Sequence, residues 1–145
     1  MREILFRGKR KNNGEWVEGH LIQSSYMGEV RSWISTPEDK TRLRAIATYY
    51  GDWRAVEVGT NTICQYTGLT DKNGNKIWEN DIVKDDRGNI YKAFWQERYY
   101  QFSWICVKSD LLPIGAKWDL WSLSRNGDLE VIGNTFDSAD LLKGE

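Results

Sequence analysis

Histidine occurs once in this sequence, as His20, and cysteine twice, as Cys64 and Cys106. That scarcity is informative. A Ser-His-Asp or Cys-His pair would need a chance meeting of distant residues. A zinc site would need His20, both cysteines and a carboxylate to converge, whereas such sites usually carry local ligand pairs. The cysteines form no C-x-x-C unit and are read as free thiols, with a single bridge as the alternative. Neither a Walker-type nor a dinucleotide-type glycine loop is present. No apolar run approaches the roughly 20 residues of a membrane helix. The start, "MREILFRGKRK", interleaves charge with apolar residues and lacks a secretory apolar stretch. The chain is therefore expected to be cytoplasmic, non-catalytic and without metal or cofactor.

Aromatic residues are what the sequence has in plenty. Eight Trp and seven Tyr stand against two Pro and two Met, and aromatics favour pleated, half-buried surfaces. Two strand-like runs flank Asn12-Asn13-Gly14, whose backbone tolerates the positive φ of a tight turn, so the N-terminus reads as a hairpin. Residues 23–60 carry weaker signals, with a helical turn expected from Pro37, capped by Ser35 or Thr36, and a strand in "DWRAVEV". From Thr62 on, five or six short strands are expected. "YYQFSWICV" is the plainest, with Tyr100, Phe102, Trp104 and Cys106 on one face. "WDLWSLS" suits a short helical turn or a strand equally, "LEVIGN" is a last strand, and "FDSADLL" one helical turn capped by Asp137 or Ser138. The whole predicts a mainly β protein, with a hairpin and variable loop or helix over 1–61 and a small curled barrel over 62–145.

Three pieces carry a resemblance: "ILFRGKRKNNGEWVEGHLI", "VGTNTICQYTGLTDKNGNKIWENDIVK" and "LEVIGNTFDSADLL". Together they resemble the YopX family of phage and prophage proteins, and the middle motif, QYTGLxDKNGxxIxExDIV, is long enough to be specific. Where this chain has Asn80 the family commonly has Gly. The resemblance implies an SH3-like β-barrel in the C-terminal part, carried by phage genomes and so at work in a bacterial host cell; the strand and turn pattern adds the expectation that the N-terminal hairpin packs on it. It implies no activity and carries over no catalytic residue.

The residues of the motif agree with a structural role. Gly68 and Gly74 supply backbone freedom, and Asp71 and Asp81 are acids of the kind that bond turn amides. The pairs Glu79/Asp81 and Asp85/Asp86 have the composition of a Mg²⁺ or acid–base site but sit where turns recruit acids anyway. Binding is the stronger expectation. Trp95, Tyr99, Tyr100, Trp104, Trp118 and Trp121 exceed what one small core encloses, so some should reach the surface as interface residues. Tyr49, Tyr50, Trp118 and Trp121 are the candidates for a contact with a second copy, or with a host or phage protein. The alternative is a nucleic-acid accessory role, through surface aromatics and the basic cluster Arg7, Lys9, Arg10 and Lys11. A net charge of -1 without a basic stripe ranks that second.

Overall fold

The computed structural model of the chain describes residues 3–36, 55–125 and 127–142. These form a mainly β structure of two compact units, Met1–Gln65 and Tyr66–Glu145. The expected helical turn from Pro37 falls outside the described residues, and Ser35, one of its two expected caps, is the last residue of a strand.

In the first unit β1 (Phe6–Lys9), β2 (Trp16–Tyr26), β3 (Glu29–Ser35) and β4 (Ala55–Val58) pair antiparallel in the order β4-β3-β2-β1. The expected first hairpin is there: Lys9 pairs with Trp16, and Gly14 takes φ 75°. The core of this unit is Val17, Ile34 and Val58, with Phe6, Leu21, Val56 and Ile63 against it. Gly19 lies where β2 presses on β3, so a Cβ there would overlap the Ser35 carbonyl. The β2–β3 hairpin turns at Met27-Gly28, both at positive φ. Such two-residue turns ordinarily signal themselves by Asn-Gly or Asp-Gly, and Met27 hides this one from sequence reading.

Strand β5 (Cys64–Thr70) begins in the first unit, where Gln65 and Cys64 pair with Phe6 and Arg7, and continues into the second. There Tyr66 and Thr70 pair with β6 (Lys76–Trp78) around a bulge at Gly68, which has φ 92°. The remaining strands are β7 (Asp81–Lys84), β8 (Ile90–Gln96), β9 (Gln101–Lys108), β10 (Lys117–Asp119) and β11 (Glu130–Asn134). They form one antiparallel sheet in the order β10-β9-β8-β7-β11. The seven strands from β5 onward exceed the five or six expected. The segment "WDLWSLS" is both of its alternatives in turn, β10 followed by α1 (Leu120–Ser124), whose N-terminus is capped by the Asp119 side chain.

The expected barrel is corrected by this topology. The sheet runs from an edge at β10 to an edge at β11 without closing among the described residues. Its core is Ile77, Val83, Tyr91, Ala93, Trp104, Cys106 and Leu129. Trp104 and Cys106 lie on the inward face as their spacing predicts, whereas Tyr100 is exposed and precedes β9 in a left-handed conformation, φ 50°. The chain ends in a short 3-10 turn, Ala139–Leu142. Ser138, one of the two expected caps, immediately precedes it and its carbonyl accepts from the Leu141 amide, while Asn134 shapes the approach by accepting from the Phe136 and Asp137 amides.

Asn80 gives a local test of this geometry. It has φ 70°, and its backbone bridges two segments, donating to the Ala93 carbonyl at 2.7 Å and accepting from the Thr135 amide at 3.0 Å. A Cβ in the left-handed region costs about 1 kcal/mol, which glycine avoids. Asn80→Gly should therefore be more stable than Asn80→Ala by about 1 kcal/mol in urea denaturation. Equal stabilities would show that the backbone at residue 80 is not held left-handed.

Candidate functional site

The acids of the central motif act on the backbone. Asp71 Oδ1 accepts from the Asn73 and Asn75 amides, both at 2.9 Å, which shapes the β5–β6 turn. Its Oδ2 accepts from the Val131 amide at 3.0 Å, sixty residues on, and so pins that turn to β11. Burial pushes this carboxyl up, but the donors outweigh burial and hold it below the ordinary carboxylate value. Asp81, fully buried, accepts from the Trp78 amide at 2.8 Å across the Glu79–Asn80 bend. Asp85 accepts from the Arg87 and Asn89 amides, the Asn89 amide group and the Tyr91 hydroxyl. Here too burial opposes ionisation and the donors from Asn89 and Tyr91 prevail, so Asp85 is a carboxylate. The Tyr91 hydroxyl is correspondingly held protonated by burial and by that carboxylate. Asp71 and Asp81 within the motif, and Asp85 just beyond it, are three backbone clamps.

A cleft of about 480 Å³ opens beside the Asp85 clamp, within the second unit. Asn89, whose side chain donates to Asp85 and accepts from Ser109 Oγ, lies in its wall together with Tyr91. Trp118 lines it from β10, set edge-on to Tyr91 with ring centroids 5.7 Å apart at 90°. Leu111, Leu112, Leu123 and Leu129 supply apolar surface, and Asp86 and Asp128 add two more carboxyls. Burial, and then the neighbouring Asp86 carboxyl, raises Asp128 above its ordinary value. Among the described residues no three His, Cys, Asp or Glu are grouped as metal ligands. Cys64 and Cys106 are buried free thiols.

The residues expected to bind are dispersed by this geometry. Trp118 is half-buried in the cleft wall; Trp121, on α1, is exposed with the Arg125 guanidinium 5.5 Å from its ring. Tyr49 and Tyr50 lie outside the described residues. The basic cluster divides. Arg7 and Lys9 stand over the Trp16 ring, at 4.3 and 5.4 Å, while Lys11 bonds Glu57 at 3.2 Å. Glu57 also takes a two-pronged bond from Arg31, and those hydrogen bonds bring its carboxyl down to about 2. His20 is an exposed residue of β2. Sequence reading missed Asp128, Asn89 and the two leucines at 111 and 112. Asp128 did carry a signal, since Asn126-Gly127-Asp128 reads as a turn, but nothing local ties it to Asp86.

The clamps account for the spacing of the middle motif, and that motif belongs to a match running over nearly the whole chain. A family model described as YopX protein matches residues 5–143. The chain belongs to the YopX family. Comparison with curated proteins gives no match. Among solved structures this YopX chain is similar to the crystal structure of protein EF1440 from Enterococcus faecalis, at 19% identity and a TM-score of 0.51. That likeness covers 99% of this chain and 100% of the other, and it speaks to the fold alone. No described helix of the YopX chain is long and apolar enough to cross a membrane.

Proposed function

We propose that this YopX protein is a phage- or prophage-encoded, non-catalytic module that works in the bacterial cytoplasm by binding other protein chains, a second copy of itself first. The observation that carries this reading is the aromatic surface of the second unit. Trp121 is 68% exposed, Tyr100 76%, Tyr99 57% and Trp95 39%. Rings of this size at a surface are the side chains that dominate protein–protein hot spots. At β10 the sheet ends with no further strand among the described residues, and such an edge favours pairing with another chain. A homodimer is the simplest closed assembly for such a surface. Nucleic-acid binding through the basic hairpin is the weaker reading, because Lys11 and Arg31 are engaged by Glu57.

Light scattering after size exclusion, at several concentrations, is expected to give a dimer mass that Trp121→Ala shifts towards monomer. A monomer mass at every concentration would overturn self-association and assign the aromatic surface to a host or phage protein.

A further inference from the structure

We propose that the cleft of the second unit binds the side-chain cation of a lysine or arginine presented by a partner protein. This rests on reading the second unit as a protein-binding module and names the chemistry of its anchor. The cleft, at about 480 Å³, is of the size that holds small organic groups, for which the usual range is roughly 300–1,000 Å³. One part of its wall is apolar: Leu112, Trp118 and Leu129. The Trp118 ring is fixed by its edge contact with Tyr91. It thus offers a pre-set aromatic surface to an alkyl stem and to a cation at the stem's end.

The other part is acidic. Asp86 and Asp128 both line the cleft, so two carboxyls face the same space and offer oxygen acceptors to a cation. Asp85 adds a carboxylate whose oxygens are already occupied by Asn89, Tyr91 and the Arg87 amide. It contributes negative potential and no vacant acceptor. Arg87 also lines the cleft but forms no ion pair with Asp86 or Asp128 among the described residues. A divalent metal fits poorly, since calcium takes six to eight oxygen ligands, roughly, and magnesium a near-octahedral set. An aliphatic cation matches both parts of the wall at once: its stem meets the leucines and Trp118, and its charge meets Asp86 and Asp128.

The test is a titration of the full chain with N-acetyl-lysine amide, followed by NMR at the indole of Trp118. N-acetyl-norleucine amide, which keeps the stem and lacks the charge, is the control. Lysine is expected to bind at least about tenfold tighter than norleucine, a difference of one ion pair's order. Asp86→Asn with Asp128→Asn should abolish that preference while leaving the weak norleucine response in place. Wild-type protein in high salt should lose the preference too, a check that needs no variant to fold. Equal affinities for the two probes, or a lysine response that spares Trp118, would overturn the proposal. Pentylamine should bind more weakly than the lysine probe, and tighter binding would reassign the cleft to free amines. These probes are monomeric, so the outcome is independent of the mass measured by light scattering. A monomeric protein that still selects lysine removes self-association alone, and a dimer without selection removes this anchor alone.

Discussion

Replacing Asp71 with asparagine is expected to destabilise the protein by about 3 kcal/mol, nearly as much as replacing it with alanine. The two substitutions differ greatly in shape, so near-equality is the informative result. Asp71 uses both oxygens as acceptors, Oδ1 for the Asn73 and Asn75 amides and Oδ2 for the Val131 amide. Asparagine keeps one oxygen. Whichever way its amide is turned, an NH2 group faces a backbone N–H, and a buried donor is left without an acceptor. Urea denaturation should show the midpoint falling at unchanged slope. An Asn variant within about 0.5 kcal/mol of wild type, the range of ordinary surface changes, would show that the clamp is not needed. The pH dependence has a definite sign. The folded carboxyl lies below its ordinary value of 3.8 because the donors outweigh burial. Its contribution is therefore complete above 3.8 and is lost as pH falls through the lower folded value. The gap between wild type and Asp71→Asn should narrow in acid.

Trp104→Ala is expected to cost about 4 kcal/mol or more, since emptying the site of a fully buried aromatic loses both its transfer energy and its packing. Trp104 has no exposed surface and belongs to the core formed by Ile77, Val83, Tyr91, Cys106 and Leu129. Its indole N–H also donates to the Leu120 carbonyl at 3.3 Å, tying the start of α1 to β9. Against a total stability of roughly 5–15 kcal/mol for an ordinary domain, that loss leaves a measurable unfolded fraction. Trp121→Ala, seventeen positions on, removes a ring that is 68% exposed and should change stability by no more than about 0.5 kcal/mol. Thermal denaturation of the two variants side by side checks both values. A Trp104→Ala loss as small as that of Trp121→Ala would mean that the core closes over the cavity.

Trp118, expected from sequence in a contact with another chain, lies half-buried in the cleft wall. Asp86 was noticed for its neighbour Asp85, whereas the acid it affects across the cleft wall is Asp128. Spacing along the chain holds no record of that meeting. The basic residues show the reverse error. Arg7, Lys9, Arg10 and Lys11 form a run in sequence, but Arg7 and Lys9 stand over Trp16, Arg10 bridges Val58 by its backbone, and Lys11, past the end of β1, is bonded to Glu57 on β4.

By itself the sequence determined the elements whose cause is contained within a few residues. Asn12-Asn13-Gly14 turns because its backbone accepts positive φ, and β9 alternates because side chains on a strand change sides at every residue. Asp71, Asp81 and Asp85 could be recognised as turn acids, since their nearest donors lie two to four positions away. Tertiary structure alone decided the rest. Whether the second sheet closes depends on where β10 and β11 stand as edges, which is set by twist and by packing over Trp104 rather than by any strand's own pattern. Met27 turns against its own preference, because the seven-residue register between β2 and β3 holds the hairpin closed around it. The second bond of Asp71, to Val131, and the approach of Asp86 to Asp128 exist only once β11 lies beside β7. Contacts between residues far apart in the chain have their cause in the assembled sheet, and no local pattern encodes them.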